Sequence, residues 1–473
     1  MDKLKECKNF GDLYNVIKEE NFGTIAYGLA TLLCYAPLFA GIINYLMTVN
    51  EPYYDPYEYN YKCMTLWNFI FSIMLMWFFV YFLGKIHINN LNVKKLVPSI
   101  REKQRWMLFW LALFIWTIIP VAFSCNPMGA IWGASFLSSG YMSHLHMLGV
   151  MMCVYMIIDN AQREKLVWHF VIVSDVLAMI MLAYEYSIPF LKIFTLAPGV
   201  STYTNSNHYG YIIVMAFMAT MGLYYRELSI DKKDRNTFKE LLCVMSMIIN
   251  VYALMINDTL GAYLAIVFTA IIILPLWWIR EGSLSYMHIL PHVIIAVFTL
   301  LSYYGFITSV LGSTIGPSLV VFFHDLFKVK NKAQGYEDAG TGRIALWKNT
   351  IERIIQRPIV GYGPDIIIDK DKNPIIWNTP HNEFLECAFF MGIPGLVLYL
   401  GGLIRLCIDK CKLLKNISMN ELIAAGVIIG YLASSFFGVR KFNTVCYFFM
   451  FIGILMREEQ RKKEKKSSKT SRK

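Results

Sequence analysis

Twelve apolar runs divide this sequence almost from end to end, and most of them have the length that a helix needs to cross a bilayer. Only 16% of the 473 residues are charged and 56% are hydrophobic, whereas soluble domains carry about a quarter charged residues. We therefore predict an all-α polytopic membrane protein with about twelve transmembrane helices. The predicted spans are 24–47, 64–84, 106–124, 142–158, 167–189, 211–225, 241–257, 259–278, 287–307, 390–408, 422–438 and 442–456.

The short segments between these runs alternate in charge. Six lysines and arginines lie in 85–105, five in 226–239 and four in 405–415, whereas 48–63 and 190–210 hold one each. Because Lys and Arg are enriched in cytoplasmic loops, both termini are predicted to be cytoplasmic. The expected organisation is a cytoplasmic segment at 1–23, spans one to nine in 24–307, an extracytoplasmic loop at 308–389, spans ten to twelve in 390–456, and a basic cytoplasmic tail at 457–473.

The net charge of +11 does not indicate a nucleic acid partner, because the basic residues sit in these loops and in the tail. The partner expected from this distribution is the membrane lipid. The ten cysteines form no CxxC pair, so neither a zinc site nor a disulfide framework is predicted. The N-terminal residues lack a cleavable signal pattern, and the first span is expected to be retained.

The loop at 308–389 is the longest segment between two spans and holds the most informative motifs. Its sequence GRIALWKNTIERIIQRP predicts an amphipathic helix, since apolar residues recur at helical spacing between Gly342 and Pro358. Further on, His381-Asn382 is followed after nine residues by Gly392-Ile393-Pro394-Gly395. Gly361-Tyr362-Gly363 lies between the predicted helix and this motif. A loop of this length is more often functional than idle.

These motifs resemble the O-antigen ligase and O-antigen polymerase superfamily of bacterial membrane glycosyltransferases. The family pattern is a His with a small polar residue, nine residues and Gly-x-x-Gly, preceded by a loop Arg that matches Arg343. The resemblance implies transfer of a glycan from undecaprenyl diphosphate to an acceptor hydroxyl on the outer face of the cytoplasmic membrane. It also implies an inverting reaction without metal or other cofactor, and a bundle similar to GT-C-type lipid-phosphosugar glycosyltransferases.

The residue chemistry is compatible with these roles. In the family, the loop Arg is thought to hold the diphosphate and the His to activate the acceptor, which makes Arg343 and His381 the candidate catalytic residues. A guanidinium stays charged and offers a bidentate fork to phosphate oxygens. A neutral imidazole can take the acceptor's proton at neutral pH, which is worth about 10²–10⁴ in rate. A surface arginine and an interfacial histidine are the structural alternatives for the same two residues.

One family feature is missing from this chain. Ligases of the family commonly carry a second Arg at the outer end of a middle span, where this sequence has Asn257-Asp258-Thr259-Leu260-Gly261. Two substitutes are expected: the helix N-terminus at Thr259, whose free N–H groups favour anions, or Arg440 and Lys441, which are predicted on the outer side. Simple N-capping of that span by Asp258 and Thr259 is the alternative.

Other polar residues in or near the spans are weaker candidates. Three of them are expected to contact substrate. They are Asn382, the small polar residue of the His motif, Asn207 in the external sequence STYTNSNHYG, and Glu185 near the outer end of a span. Asp175, in mid-span, is expected to pair with a polar partner such as Asn250. Gly392 and Gly395 are assigned to close helix packing. Trp347 is expected to be a core residue or an interfacial anchor rather than a platform for a sugar.

Ligase and polymerase differ only in the acceptor, and the sequence leaves both open. A transporter or flippase of lipid-linked glycans is the alternative from another class, and a non-catalytic assembly scaffold is a third. No internal repeat of the kind that many transporters show is visible in the sequence.

Overall fold

The computed structural model describes residues 7–50, 56–88, 105–133, 137–188, 194–195, 197–303, 342–369, 371–376 and 379–456. Fifteen α-helices lie in this part of the chain. They are α1 (Phe10–Ile17), α2 (Glu19–Asn50), α3 (Pro56–Ile88), α4 (Arg105–Ala122), α5 (Pro127–Trp132), α6 (Tyr141–Met152), α7 (Asn160–Glu185), α8 (Ser206–Leu228), α9 (Thr237–Asn257), α10 (Leu260–Glu281), α11 (Leu290–Tyr303), α12 (Arg343–Gln356), α13 (Glu383–Cys411), α14 (Met419–Ser435) and α15 (Phe442–Met456).

The helical fold class is confirmed for these residues, where paired extended backbone is limited to a single bridge between Ile368 and Pro374. Each predicted span falls on one of the helices α2–α4, α6–α11 and α13–α15. Seven described helices are long and apolar enough to cross a membrane, and four more are apolar but shorter. The number of twelve crossings therefore stays a prediction. So does the organisation into segments, of which 1–6, 308–341 and 457–473 lie outside the described residues.

The outer surface of the bundle is apolar. Large side chains such as Phe69, Leu111 and Val397 are 63%, 55% and 58% exposed. An apolar surface of this kind is unfavourable in water and is typical of a lipid-facing protein. Together with the apolar helices, it makes the chain an integral membrane protein.

Helix α8 forms the centre of the bundle. Nearly all of its residues are buried, on every side of the helix, which is the pattern of a helix enclosed by other helices. It packs against α9, α10 and α14. The second turn of α8 and the start of α13 are linked by a hydrogen bond, because Tyr211 donates to Glu383 at 2.8 Å.

Helix α13 is broken near its start, which sets the direction of its first turns. Gly392 has φ 71° and ψ 174°, a conformation that is essentially restricted to glycine. The backbone groups that the break frees are satisfied by the preceding segment: Ile393 N donates to Pro358 O at 2.7 Å, and Tyr362 N donates to Phe389 O at 3.0 Å. The Gly-x-Gly and Gly-x-x-Gly motifs thus meet in space, and Gly392 serves the break as well as close packing.

Candidate active site

The amphipathic helix predicted in the long loop is present as α12, and a hydrogen bond ties it to the His motif. Gly342 precedes it in the left-handed conformation, and the helix ends before Arg357. The indole N–H of Trp347 donates to Pro380 O at 2.8 Å. Because Pro380 directly precedes His381, this bond fixes the backbone beside the histidine. The expected role of Trp347 as a core or interfacial anchor stays a prediction.

His381 lies between Pro380 and the N-cap of α13, with φ 48°. Left-handed backbone is uncommon for residues other than glycine, and a histidine held there is worth attention as a functional position. Its Nδ1 atom is buried and accepts or donates no hydrogen bond within the described part of the chain. Burial and the charge of Arg343 lower the pKa of His381 to about 4. The imidazole is therefore neutral at pH 7.

Arg343 is the first residue of α12 and lies close enough to His381 to act on it electrostatically. Burial lowers the pKa of Arg343, but a guanidinium remains charged at any physiological pH. The structure thus brings the two predicted catalytic residues together, from segments that are 38 positions apart in the sequence. What they do chemically stays a prediction.

A further histidine lies within electrostatic range of His381, and a lysine lies within range of that histidine. His208, in the first turn of α8, is buried and interacts electrostatically with both His381 and Lys441. Lys441 is 1% exposed, and its Nζ donates to Thr204 Oγ1 at 2.7 Å. Burial lowers the pKa of Lys441 to about 7. His208 was not predicted, although it directly follows the predicted Asn207 in the sequence.

Arg440 belongs to a second polar group near the α13 N-terminus. Its Nη1 donates to His144 Nε2 at 3.2 Å, and its backbone N–H donates to Glu386 Oε2 at 3.4 Å. His144 Nδ1 donates to Gly140 O at 3.2 Å, which leaves Nε2 as the acceptor for Arg440. The buried carboxylate of Glu383 belongs to the same group, since it interacts electrostatically with both Arg440 and Glu386.

The two carboxylates in the first turn of α13 were missed by sequence reasoning. Glu383 Oε1 accepts hydrogen bonds from Tyr211 at 2.8 Å and from Tyr431 at 2.7 Å. Glu383 and Glu386 are 5% and 3% exposed. The available signal was their place in NEFLEC, three residues apart at the start of an apolar helix, because ionisable residues in such segments are usually functional.

Asn382 has a structural role in this geometry. Its side-chain oxygen accepts from the backbone N–H groups of Phe384 and Leu385, both at 3.0 Å, which caps α13. Its side-chain nitrogen donates to Phe436 O at 3.2 Å. Asn382 therefore fixes the helix start beside His381 and also ties it to the loop before Arg440. Its contact with substrate stays a prediction.

The remaining predicted substrate residues lie in two other places. Asn207 and Thr259 line a small cavity of about 170 Å³ between α8, α10 and α14. Thr259 occupies the N-cap position of α10 without a side-chain capping bond, so N-capping by its hydroxyl is not observed. Glu185 is the last residue of α7 and interacts with Tyr252. The described contacts do not link Glu185 to His381 or Arg440.

Asp175 has the partner expected from the sequence. Its Oδ1 accepts from Asn250 Nδ2 at 2.7 Å and from Ser246 Oγ at 2.8 Å. The predicted pairing with Asn250 is confirmed, and the group joins α7 to α9 inside the bundle.

Among the residues that the structure describes, no group of three or more His, Cys, Asp and Glu side chains is arranged to hold a metal ion. The predicted metal independence is not tested by this observation and stays a prediction.

Comparison with known proteins gives one family. Residues 245–400 match the family model described as O-Antigen ligase. The matched range contains Arg343, His381 and the glycine motifs that meet at the break of α13, whereas Arg440 lies beyond it. No curated protein matches the chain.

Proposed function

We propose that this chain, whose residues 245–400 match the O-antigen ligase family, transfers a glycan from undecaprenyl diphosphate to an acceptor hydroxyl at the outer face of the bacterial cytoplasmic membrane. The family match itself supports the coarser statement of a ligase-like or polymerase-like membrane protein of surface polysaccharide synthesis. The observation that carries the finer proposal is the juxtaposition of Arg343 and His381 beside a kinked span.

In the proposed reaction, the acceptor oxygen forms a bond to the anomeric carbon while the bond from that carbon to the diphosphate oxygen breaks. The proton of the acceptor hydroxyl goes to His381, and undecaprenyl diphosphate leaves with the electron pair. Attack from the face opposite the leaving group inverts the anomeric centre. Arg343 neutralises the charge that develops on the diphosphate, which is where a preorganised guanidinium contributes most.

The lowered pKa of His381 fits this sequence of events. A neutral imidazole at pH 7 can accept a proton, but a group with a pKa of about 4 is a weak base. A diphosphate bound against Arg343 would offset the cationic charge that now acts on the imidazole. The pKa of His381 then rises when the donor binds, which moves the base toward the working pH.

Arg440 and Lys441 are proposed as the cations that take the place of the missing second family Arg. Both follow the loop to which Asn382 is bonded. Arg440 lies within electrostatic reach of Glu383 at the α13 N-terminus, and Lys441 lies within electrostatic reach of His208. Thr259 and Asn207 are proposed to contribute contacts to the bound glycan from their shared cavity. Glu185 is retained as a more distant glycan contact.

The test uses the purified full-length protein in proteoliposomes with a defined undecaprenyl-diphosphate glycan. A lipid-linked glycan acceptor tests for polymerase activity, and an unrelated lipid or wall-polymer acceptor tests for ligase activity, each with and without chelator. A new glycosidic bond is the expected product. Movement of donor across the bilayer without a new bond would instead establish a flippase.

Two matched pairs of variants test the roles. His381→Ala is expected to lower the transfer rate by about 10²–10⁴, whereas His169→Gln, at a histidine that contacts Tyr27 and Tyr35, keeps it. Arg343→Gln is expected to lower the rate by about 10²–10³. Arg357→Gln, at an exposed arginine on the Tyr362 ring in the same segment, serves as its control. Full activity of His381→Ala at normal protein level would refute the catalytic role.

A further inference from the structure

Helix α12 presents three faces of different character. Its buried face contains Thr350 and Ile354 and packs against the protein. The next face, one residue or about 100° further round the helix, carries Ile351 and Ile355, which are 45% and 70% exposed. Another residue on, Glu352 belongs to an exposed polar face. A helix that lies on a membrane surface beside a protein meets protein, lipid and water in this order.

The exposed apolar face of α12 continues into the lipid-facing side of α13. Ile359, in the turn after α12, is 61% exposed. The residue before it, Pro358, accepts a hydrogen bond from Ile393 N, and Ile393 is itself exposed. Ile393 lies on the side of α13 that also exposes Val397, about one turn further along. The apolar face of α12 therefore borders a surface that already faces lipid.

The lengths of α13 and α4 place this border at the edge of the bilayer. The unbroken part of α13, from Ile393 to Cys411, is about 27 Å long at about 1.5 Å per residue. Helix α4, with 18 residues, has nearly the same length, and Ser124 just beyond its end packs against Gly363 in the segment that follows α12. Since the hydrocarbon core of a bilayer is about 30 Å thick, both helices reach its boundary where they meet this segment.

From this geometry we propose that α12 is a membrane-docked helix and that its partner is the phospholipid of the leaflet on that side, which is the outer leaflet in the predicted topology. Ile351, Ile355 and Ile359 contact the acyl chains, and Glu352 faces water. Arg343, the first residue of α12, is thereby held near the level of the lipid headgroups. The inference needs α4 and α13 to span the bilayer, and it does not rest on the proposed reaction.

The experiment uses the full-length protein in nanodiscs of phosphatidylcholine and phosphatidylglycerol, with the photocrosslinker p-benzoylphenylalanine at one position at a time. The crosslinker replaces Ile355 on the apolar face, Glu352 on the polar face of the same helix, or Val397 on the lipid-facing side of α13. Mass spectrometry after illumination detects phospholipid joined to the corresponding peptide. The yield at Ile355 is expected to be close to that at Val397 and about five times or more that at Glu352, because only the apolar face lies among acyl chains.

Two results of the crosslinking would overturn the inference. The first is a crosslink from position 355 to a second copy of the chain, or to another segment of the same chain, without phospholipid. The second is an equal phospholipid yield at positions 355 and 352, because a docked helix has one fixed side toward the bilayer.

Amide hydrogen exchange in the same nanodiscs tests the docking without a crosslinker. The double variant Ile351→Gln/Ile355→Gln is expected to speed the exchange of 343–356 by about tenfold or more, since the burial of two apolar side chains in lipid is lost. The matched double variant Ala345→Gln/Glu352→Gln, on the exposed polar face, is expected to change the exchange by less than about threefold.

Ile351 and Ile355 are exposed in the structure, so their replacement removes little contact with the protein itself. An exchange rate that stays the same in Ile351→Gln/Ile355→Gln would show that this face meets water, and it would overturn the inference. Neither measurement depends on transfer activity, so the docking of α12 and the proposed reaction can fail separately.

Discussion

Replacement of Gly392 by alanine tests whether the break in α13 is required for folding and for the site. A Cβ atom at this position would lie 1.9 Å from Ile359 O and 3.0 Å from Pro358 O. Both are backbone atoms, so neither can swing away as a side chain can. The alanine variant must therefore change the backbone of the break or displace the segment that packs on it.

The loss of stability expected for Gly392→Ala follows from the contacts at the break. A non-glycine residue at φ 71° and ψ 174° is strained by about 1–3 kcal/mol. Displacement of 358–363 also weakens three backbone hydrogen bonds of 2.7 to 3.0 Å, donated by Ile393, Tyr362 and Gly363, each worth about 0.5–1.5 kcal/mol. We expect a loss of about 3 kcal/mol or more in the free energy of unfolding, which is roughly a hundredfold in the ratio of folded to unfolded protein.

The assay compares Gly392→Ala with Gly28→Ala in detergent and in proteoliposomes. Gly28 lies within α2, and an added Cβ would meet no atom within 4 Å, so its replacement is expected to be neutral or slightly stabilising. Gly392→Ala should lower the thermal unfolding midpoint and the transfer rate together, because the break directs the helix that starts beside His381. Normal stability and normal transfer in Gly392→Ala would refute the reasoning about the break.

Three further predictions concern the site and the bundle. Burial and the charge of Arg343 hold the pKa of His381 at about 4, so kcat/KM should stay constant as the pH falls from 7 to about 5 and decline only as the pH approaches 4. The constant kcat, which reports the donor-bound state, should decline at a higher pH than kcat/KM. A kcat/KM profile with its acid limb near pH 6.5 would contradict this prediction. Trp347→Phe removes the indole donor to Pro380 and should reduce kcat severalfold with little change in protein abundance. The control Trp132→Phe, at an exposed tryptophan, should keep the normal kcat. Equal rates for the two variants would show that Trp347 does not position the site. Asp175→Leu removes the carboxylate that Asn250 and Ser246 share as an acceptor and should destabilise the protein by about 1–3 kcal/mol. The molecules that fold should still transfer at the normal rate, and loss of transfer in a fully stable variant would indicate a role for Asp175 in function.

Much of the architecture follows from the sequence because its cause is local. Length and apolar composition decide which segments are helices in a membrane protein, so the twelve predicted spans fall on helices and α12 begins after Gly342 as expected. The pairing of Asp175 with Asn250 was also foreseeable, since a mid-span carboxylate needs a polar partner. Helix ends were less predictable: α13 begins at Glu383, seven residues before the predicted span at 390, because its first turns contain buried glutamates that lower the local hydropathy.

The site depended on contacts between distant segments, which only the tertiary structure decides. Motif matching identified Arg343 and His381 from local sequence, but their closeness results from the Trp347 bond to Pro380 and from the break at Gly392. His208, Glu383 and Glu386 carried no motif of their own, and they join the site because α8, α13 and the loop before α15 converge. The helices could therefore be predicted from the sequence, because the apolar pattern that determines them is local to each segment. The charge and the space around each functional group could not be predicted, because packing between distant segments determines them.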